Sequence, residues 1–195
     1  MLATRTMKKA YFEDQIFQSI DYATVPLAKG EYENCTFTDC IFANSNVSEI
    51  VFVDCTFEQC DWTMAKLHDT SFRSIKFVNC KLLGLDFSDC KPFLLAFNFE
   101  NCALKFASFQ QLSLKNTHFV GCNMEGVDFT TSDLTLSIFQ DCDLQNAIFD
   151  RTILERANLQ TARNFNIDPD KNRITKAKFS KENIDGLLRK YNIIL

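Results

Sequence analysis

The chain carries only 5 glycines, 3 prolines, one tryptophan and two histidines in 195 residues. Turn-forming residues this sparse argue against a loop-rich fold. The histidines, His68 and His118, occupy different places in the pattern described below, and each reads as a surface side chain. Neither G-x-S-x-G, a phosphate-binding loop nor G-x-G-x-x-G occurs, so the common hydrolase and nucleotide-binding signatures are missing. Asp168, Asp170 and Asn172 imitate the start of a calcium loop. Arg173 stands where that loop needs glycine and Phe179 where it needs a bidentate Glu, so the segment reads as a turn. No cysteine pair has C-x-x-C spacing. No apolar run approaches the roughly 18 residues of a membrane span. The opening "MLATRTMKKAYFEDQ" lacks the apolar stretch of a secretion signal. The expectation is a cytoplasmic protein that is not an enzyme, with no cofactor, no metal, no membrane contact and reduced cysteines.

What is present is phenylalanine, at 20 residues, and cysteine, at 9. Both recur with a period of five. From Cys35 the chain divides into CTFTD, CIFAN, SNVSE, IVFVD, CTFEQ, CDWTM and onward. The frame resumes two residues late from Cys102. Every third position in these units is large and apolar, and the first is mostly Cys, Ala, Ser, Thr or an aliphatic residue. A period of five suits neither a helix at 3.6 nor a lone strand at 2, but it suits a coil with one short side per five residues. Phe37, Phe57, Phe77, Phe99, Phe119 and Phe139 are separated by 20, except for one separation of 22. Cys40, Cys60, Cys80, Cys102, Cys122 and Cys142 repeat those spacings. Twenty residues per turn means four sides. The extra two residues fall near 91–98, in "DCKPFLLAFNF".

Units such as "AIFDR", "ANLQT" and "CDLQN" resemble the pentapeptide-repeat family, strongly over about residues 31–163. The resemblance implies an all-β, right-handed, quadrilateral parallel β-helix. Coils stacked at the interstrand spacing of about 4.8 Å would form ladders of like side chains inside the tube. The phenylalanines above would form one core ladder and the cysteines another. Cysteine at the first position is then a small buried apolar residue, and free, unreactive thiols are expected.

Three regions follow: an amino-terminal cap or irregular first coil over 1–20, the β-helix over 21–163, and a carboxyl-terminal module over 164–195. Within the last, Ser180 as N-cap and the spacing of Ile184, Leu187, Leu188 and Tyr191 predict an α-helix over about 181–191. "NIDPDKNRI", the helix and the terminal apolar residues resemble the module of the topoisomerase-protecting branch, which includes quinolone-resistance and microcin B17 immunity proteins. That resemblance implies a homodimer joined tail to tail through Ile184, Leu187, Leu188, Tyr191, Ile193 and Ile194. The same residues can instead cap the last coil.

Charge is unevenly placed. Residues 31–162 hold 18 acidic and 9 basic residues, whereas residues 163–195 hold 4 and 8. Glu49, Asp69 and Asp89, at spacings of 20, stack on one corner, with Asp86 and Asp128 on the same side. One reading is a solvated face. The other, which the resemblance implies, is a rod that mimics DNA. Its partner would be DNA gyrase or topoisomerase IV, protected or modulated against poisons such as quinolones, without direct nucleic acid binding. A general protein-interaction scaffold is the alternative.

Overall fold

In a computed structural model, residues 10–193 are described and form one continuous solenoid followed by a short carboxyl-terminal module. Eleven short strands carry it: β1 (Ala10–Glu13), β2 (Ile16–Gln18), β3 (Gly30–Glu33), β4 (Thr36–Thr38), β5 (Val51–Val53), β6 (Thr56–Glu58), β7 (Ser71–Arg73), β8 (Ile75–Val78), β9 (Phe97–Glu100), β10 (His118–Val120) and β11 (Ile138–Gln140). They build two parallel sheets. One runs β1-β3-β5-β7; the other runs β11-β10-β9-β8-β6-β4-β2. Registers such as Phe37↔Phe57 and Phe119↔Phe139 are offset by one coil of 20 residues. The remaining two sides pair through single bridges with the same offset, as in Ile41↔Asp61 and Ser108↔Asp128.

The fifth residue of each unit turns the corner. Asn34, Asp54, Asn79, Asn101, Asn116 and Asn146 all have φ between 50° and 60°. Asn and Asp tolerate this left-handed conformation better than other side chains with a Cβ. The third residue then points inward. Phe57 and Phe77 stack at 5.1 Å, Phe99 and Phe119 at 5.2 Å, and Phe119 and Phe139 at 5.0 Å. First-position thiols hydrogen-bond to backbone: Cys60 Sγ donates to Phe37 O at 3.3 Å, and Cys80 Sγ to Phe57 O at 3.3 Å. All nine cysteines are buried and free.

Trp62 lies in the aromatic column above Phe42, with ring centroids 4.1 Å apart, and its Nε1 has no hydrogen-bond partner. A buried unpaired N–H costs about 1–3 kcal/mol, so Trp62→Phe is expected to change stability by less than ~1 kcal/mol, the lost ring area being offset by the removed donor. Denaturation followed by circular dichroism checks this. A loss above ~2 kcal/mol would mean that the indole N–H is paired after all.

The two extra residues have a larger effect than their number suggests. Ser71 still bridges Lys91, but Ile75 pairs with Phe97. Between them Phe93 and Leu94 are pushed outside, at 67% and 62% exposure. Phe97, at a first position where a small residue is usual, turns inward instead. Its ring packs against Phe72 at 5.5 Å and Phe87 at 5.1 Å. Pro92 has no N–H to give to the next coil, and among the described residues no bridge joins Lys91 to Ser113. The ladder is open there.

The carboxyl-terminal module corrects the predicted α-helix. Residues 181–191 form only 3-10 turns, at Ile184–Leu187 and Arg189–Tyr191. Gly186 is pressed onto Phe165 so closely that a Cβ would lie 2.4 Å from the ring and 2.6 Å from Phe165 O. Its carbonyl accepts from Ile167 N at 3.0 Å. This anchoring competes with the regular i→i−4 pattern, and Asn192 ends the second turn at φ 51°. Ser180 is no N-cap: its N–H donates to Asn183 Oδ1 at 2.9 Å. Asn183 Nδ2 in turn donates to Leu159 O at 2.8 Å and Ala162 O at 3.0 Å, closing the last coil.

Candidate partner-binding surface

The solenoid register brings the predicted acidic residues into columns. Glu49 and Asp69 both occupy left-handed corners, at φ 64° and 55°. Asp89 departs from them, lying in a 3-10 turn, Phe87–Asp89, whose Asp89 carbonyl accepts from Asp69 N at 3.0 Å. Asp86 caps that turn by accepting from Ser88 N at 3.0 Å. Asp128 sits two coils above Asp86 through the Ser108 bridges and accepts from Gln110 Nε2 at 2.6 Å. All five therefore share one side and its corner.

The same spacing also delivers cations. Lys29 Nζ donates to Glu49 Oε1 at 2.9 Å, and this contact holds the Glu49 carboxyl below its usual range. His68 lies 3.1 Å from Asp89 and 3.8 Å from Asp69. The hydrogen bond to Asp89, then the charges of Asp89 and Asp69, raise the imidazole's pKa. The column ends on Gln111, Thr131 and Arg151. The predicted corner is thus acidic but partly compensated, and each such exposed pair contributes little to stability.

A second acidic group lies on the adjoining sheet. β1 and β3 place Tyr11 opposite Glu31 and Glu13 opposite Glu33. Tyr11 Oη donates to Glu33 at 2.6 Å. That hydrogen bond, with burial and the charges of Glu13, Glu33 and Glu31, drives the phenol's pKa well above its ordinary value. Among the described residues none of Glu13, Glu31 and Glu33 forms a salt bridge. The Glu13–Glu33 spacing of 20 is the signal that marked the other corner, but it falls in the weakly periodic first coil.

The opposite end is different in kind. Lys190 sits between Asp168 and Asp170, the two carboxylates of the calcium-like segment. Those contacts raise the Lys190 pKa and lower that of Asp168. Of the predicted pairing residues, Leu187 packs against the core and Leu188 is half-buried. Ile184, Tyr191 and Ile193 remain 46%, 57% and 54% exposed. Ile194 lies outside the described residues, as do residues 1–9 of the predicted amino-terminal region. His118 is on β10, far along the rod from His68, and its N–H donates to Asn98 Oδ1 at 3.3 Å.

A family model for the pentapeptide repeat region matches residues 30–98 and again 96–186. No curated protein matches the chain. Among solved structures, a trypsin-treated variant of QnrB1, a plasmid-mediated fluoroquinolone resistance protein, superposes with a TM-score of 0.74 at 16% identity, covering 95% of this chain and 91% of that one. Full-length QnrB1 gives 0.61 at 14% identity, covering 94% and 100%. At such identities the likeness is one of fold. The family match spans the coils whose geometry has just been described, and the chain belongs to the pentapeptide-repeat family.

Proposed function

We propose that this protein is a non-enzymatic, cytoplasmic binding rod whose acidic amino-terminal half engages DNA gyrase or topoisomerase IV in place of DNA. The observation that carries the reading is the in-register pair Glu13 and Glu33, with Glu31 on the same strand as Glu33, on the side adjoining the corner of Glu49, Asp69 and Asp89. Such a cluster of carboxylates resembles what a phosphate-binding saddle is built to hold. The likeness in fold to QnrB1, a fluoroquinolone resistance protein, supports the same reading. Occupation of the saddle would modulate the enzyme or shield it from poisons of its cleaved complex.

Ile184, Tyr191 and Ile193 are exposed large apolar residues of the cap. In this reading they join two chains tail to tail, while Leu187 and Asn183 close each chain's own last coil.

A supercoiling assay with purified gyrase tests the proposal. The native protein is expected to inhibit at micromolar concentration and to alter quinolone sensitivity. Reversal of Glu49, Asp69 and Asp89 to Lys is expected to weaken inhibition at least ~10-fold, about 1.4 kcal/mol. Unchanged inhibition after the reversal would remove this corner from the contact surface. No effect of the native protein at all would leave an interaction scaffold with another partner as the better reading.

A further inference from the structure

In a closed solenoid each coil's backbone is paired above and below, so an unpaired stretch in the middle of a side is informative. The last complete coil is covered on three sides. Leu144 N donates to Arg163 O at 2.9 Å, Leu154 N to Arg173 O at 2.8 Å and Leu159 N to Lys178 O at 2.8 Å. The fourth side, residues 146–151, is not covered. One coil below, Gly126, Phe129 and Thr131 donate to Gln145, Ile148 and Asp150, and Val127 O accepts from Ile148 N. Among the described residues the corresponding N–H groups of Asn146, Phe149 and Arg151, and the carbonyl of Ala147, have no hydrogen-bond partner.

The cause is local. The chain at 164–172, which the repeat would lay across this side, is drawn away to the tail through Ile167 N and Gly186 O, and it contains Pro169. Asn172 repairs only the far end, donating to Phe149 O at 3.0 Å and accepting from Thr152 N at 2.8 Å. Two adjoining clefts, of about 420 Å³ and 520 Å³, open along the uncovered edge and share Ala147 and Asn166. The first is walled by Gln145, Asn146, Asn164 and Arg189, the second by Asp150 and Lys171.

We propose that this edge is a strand-addition site that takes an extended protein segment of about five residues, the length of one side of the coil. Strand addition supplies affinity through main-chain hydrogen bonds, which suits three donors and an acceptor fixed in one line. Phe165 and Ile167, from the segment that would otherwise cover this side, are already buried in the core cluster. The occupant therefore contributes backbone pairing rather than a core side chain, and the surrounding amides of Gln145, Asn146, Asn164 and Asn166 read its peptide groups. The segment continues the parallel ladder Asp86↔Ser108↔Asp128↔Ile148, whose last rung is Asp128↔Ile148.

The test uses the full chain, labelled for amide-resolved NMR, and the acetylated peptide Val-Asp-Phe-Thr-Thr. That sequence occupies residues 127–131, the same side one coil below. Without peptide, the amides of Asn146, Phe149 and Arg151 are expected to exchange with solvent much faster than those of Gly126, Phe129 and Thr131. Millimolar peptide is expected to shift and protect those three amides. A peptide N-methylated at alternate residues is expected to lose the effect at least tenfold, as is Asn166→Trp, an exposed substitution that fills the shared wall while leaving the melting temperature unchanged. Slow exchange at the three amides, shifts confined to other surfaces, or equal binding of the N-methylated peptide would each overturn the proposal.

Discussion

Replacing Phe119 by alanine is expected to destabilise the protein by about 3–5 kcal/mol, close to the whole stability of many domains. Phe119 is fully buried. It stacks on Phe99 at 5.2 Å with the rings 2° from parallel, and on Phe139 at 5.0 Å. It also meets Phe109 and Phe129 edge-on, both at 6.1 Å. Removing it opens a void that the coils above and below cannot close, because their own ladder bonds fix their separation. In a solenoid each coil contacts only its neighbours, so one missing rung uncouples the two halves. The midpoint of chemical denaturation measures the loss. Phe119→Leu should be milder, since Leu114, Leu134 and Leu154 already serve at third positions on another side and are buried. An alanine variant within ~1 kcal/mol of the native protein would show that stacking of the rings contributes little.

The second large effect concerns the thiols. All nine are buried and unpaired in disulfides. Burial pushes the Cys55 thiol up to about 12 and the Cys90 thiol well above the usual cysteine range. Since a reagent must reach a thiolate and all nine thiols are buried, an aromatic disulfide reagent at neutral pH is expected to find no accessible cysteine in the folded protein and all nine after denaturation. The two predictions are linked, because Phe119→Ala should also loosen Cys142, whose Sγ donates to Phe119 O at 3.3 Å. Rapid labelling of several thiols in the native protein would contradict a closed, close-packed tube.

The coil was legible because the third side chain of every five-residue unit points to the same interior, which turns a three-dimensional ladder into a plain period. Phe37, Phe57 and Phe77 therefore reveal the number of sides through spacing alone. Spacing also located the two-residue insertion. It could not show that Phe97 would turn inward while Phe93 turned out, since that depends on which ring fills a void between Phe72 and Phe87. The tail misled for a related reason. Ile184, Leu187, Leu188 and Tyr191 have helical spacing, but the contact between Gly186 and Phe165 decides the backbone there. Asn183, a residue with no helical signal, does the capping. At the candidate surface the acidic column was visible and its counter-ions were not, although Lys29 shares the 20-residue spacing with Glu49. Glu13, Glu31 and Glu33, which form no salt bridge among the described residues, were hidden by the weak periodicity of the first coil. The open edge at Phe149 could not be read from sequence, because it arises where a later segment fails to arrive.

The most direct measurement is competition for gyrase. A fluorescent DNA duplex is bound to purified gyrase, and its anisotropy is followed as this protein is added at low and at moderate salt. A DNA-like acidic rod predicts stoichiometric release of the duplex, with an apparent affinity that falls steeply as salt rises. Retention of the duplex at saturating protein, or release that ignores salt, would contradict it.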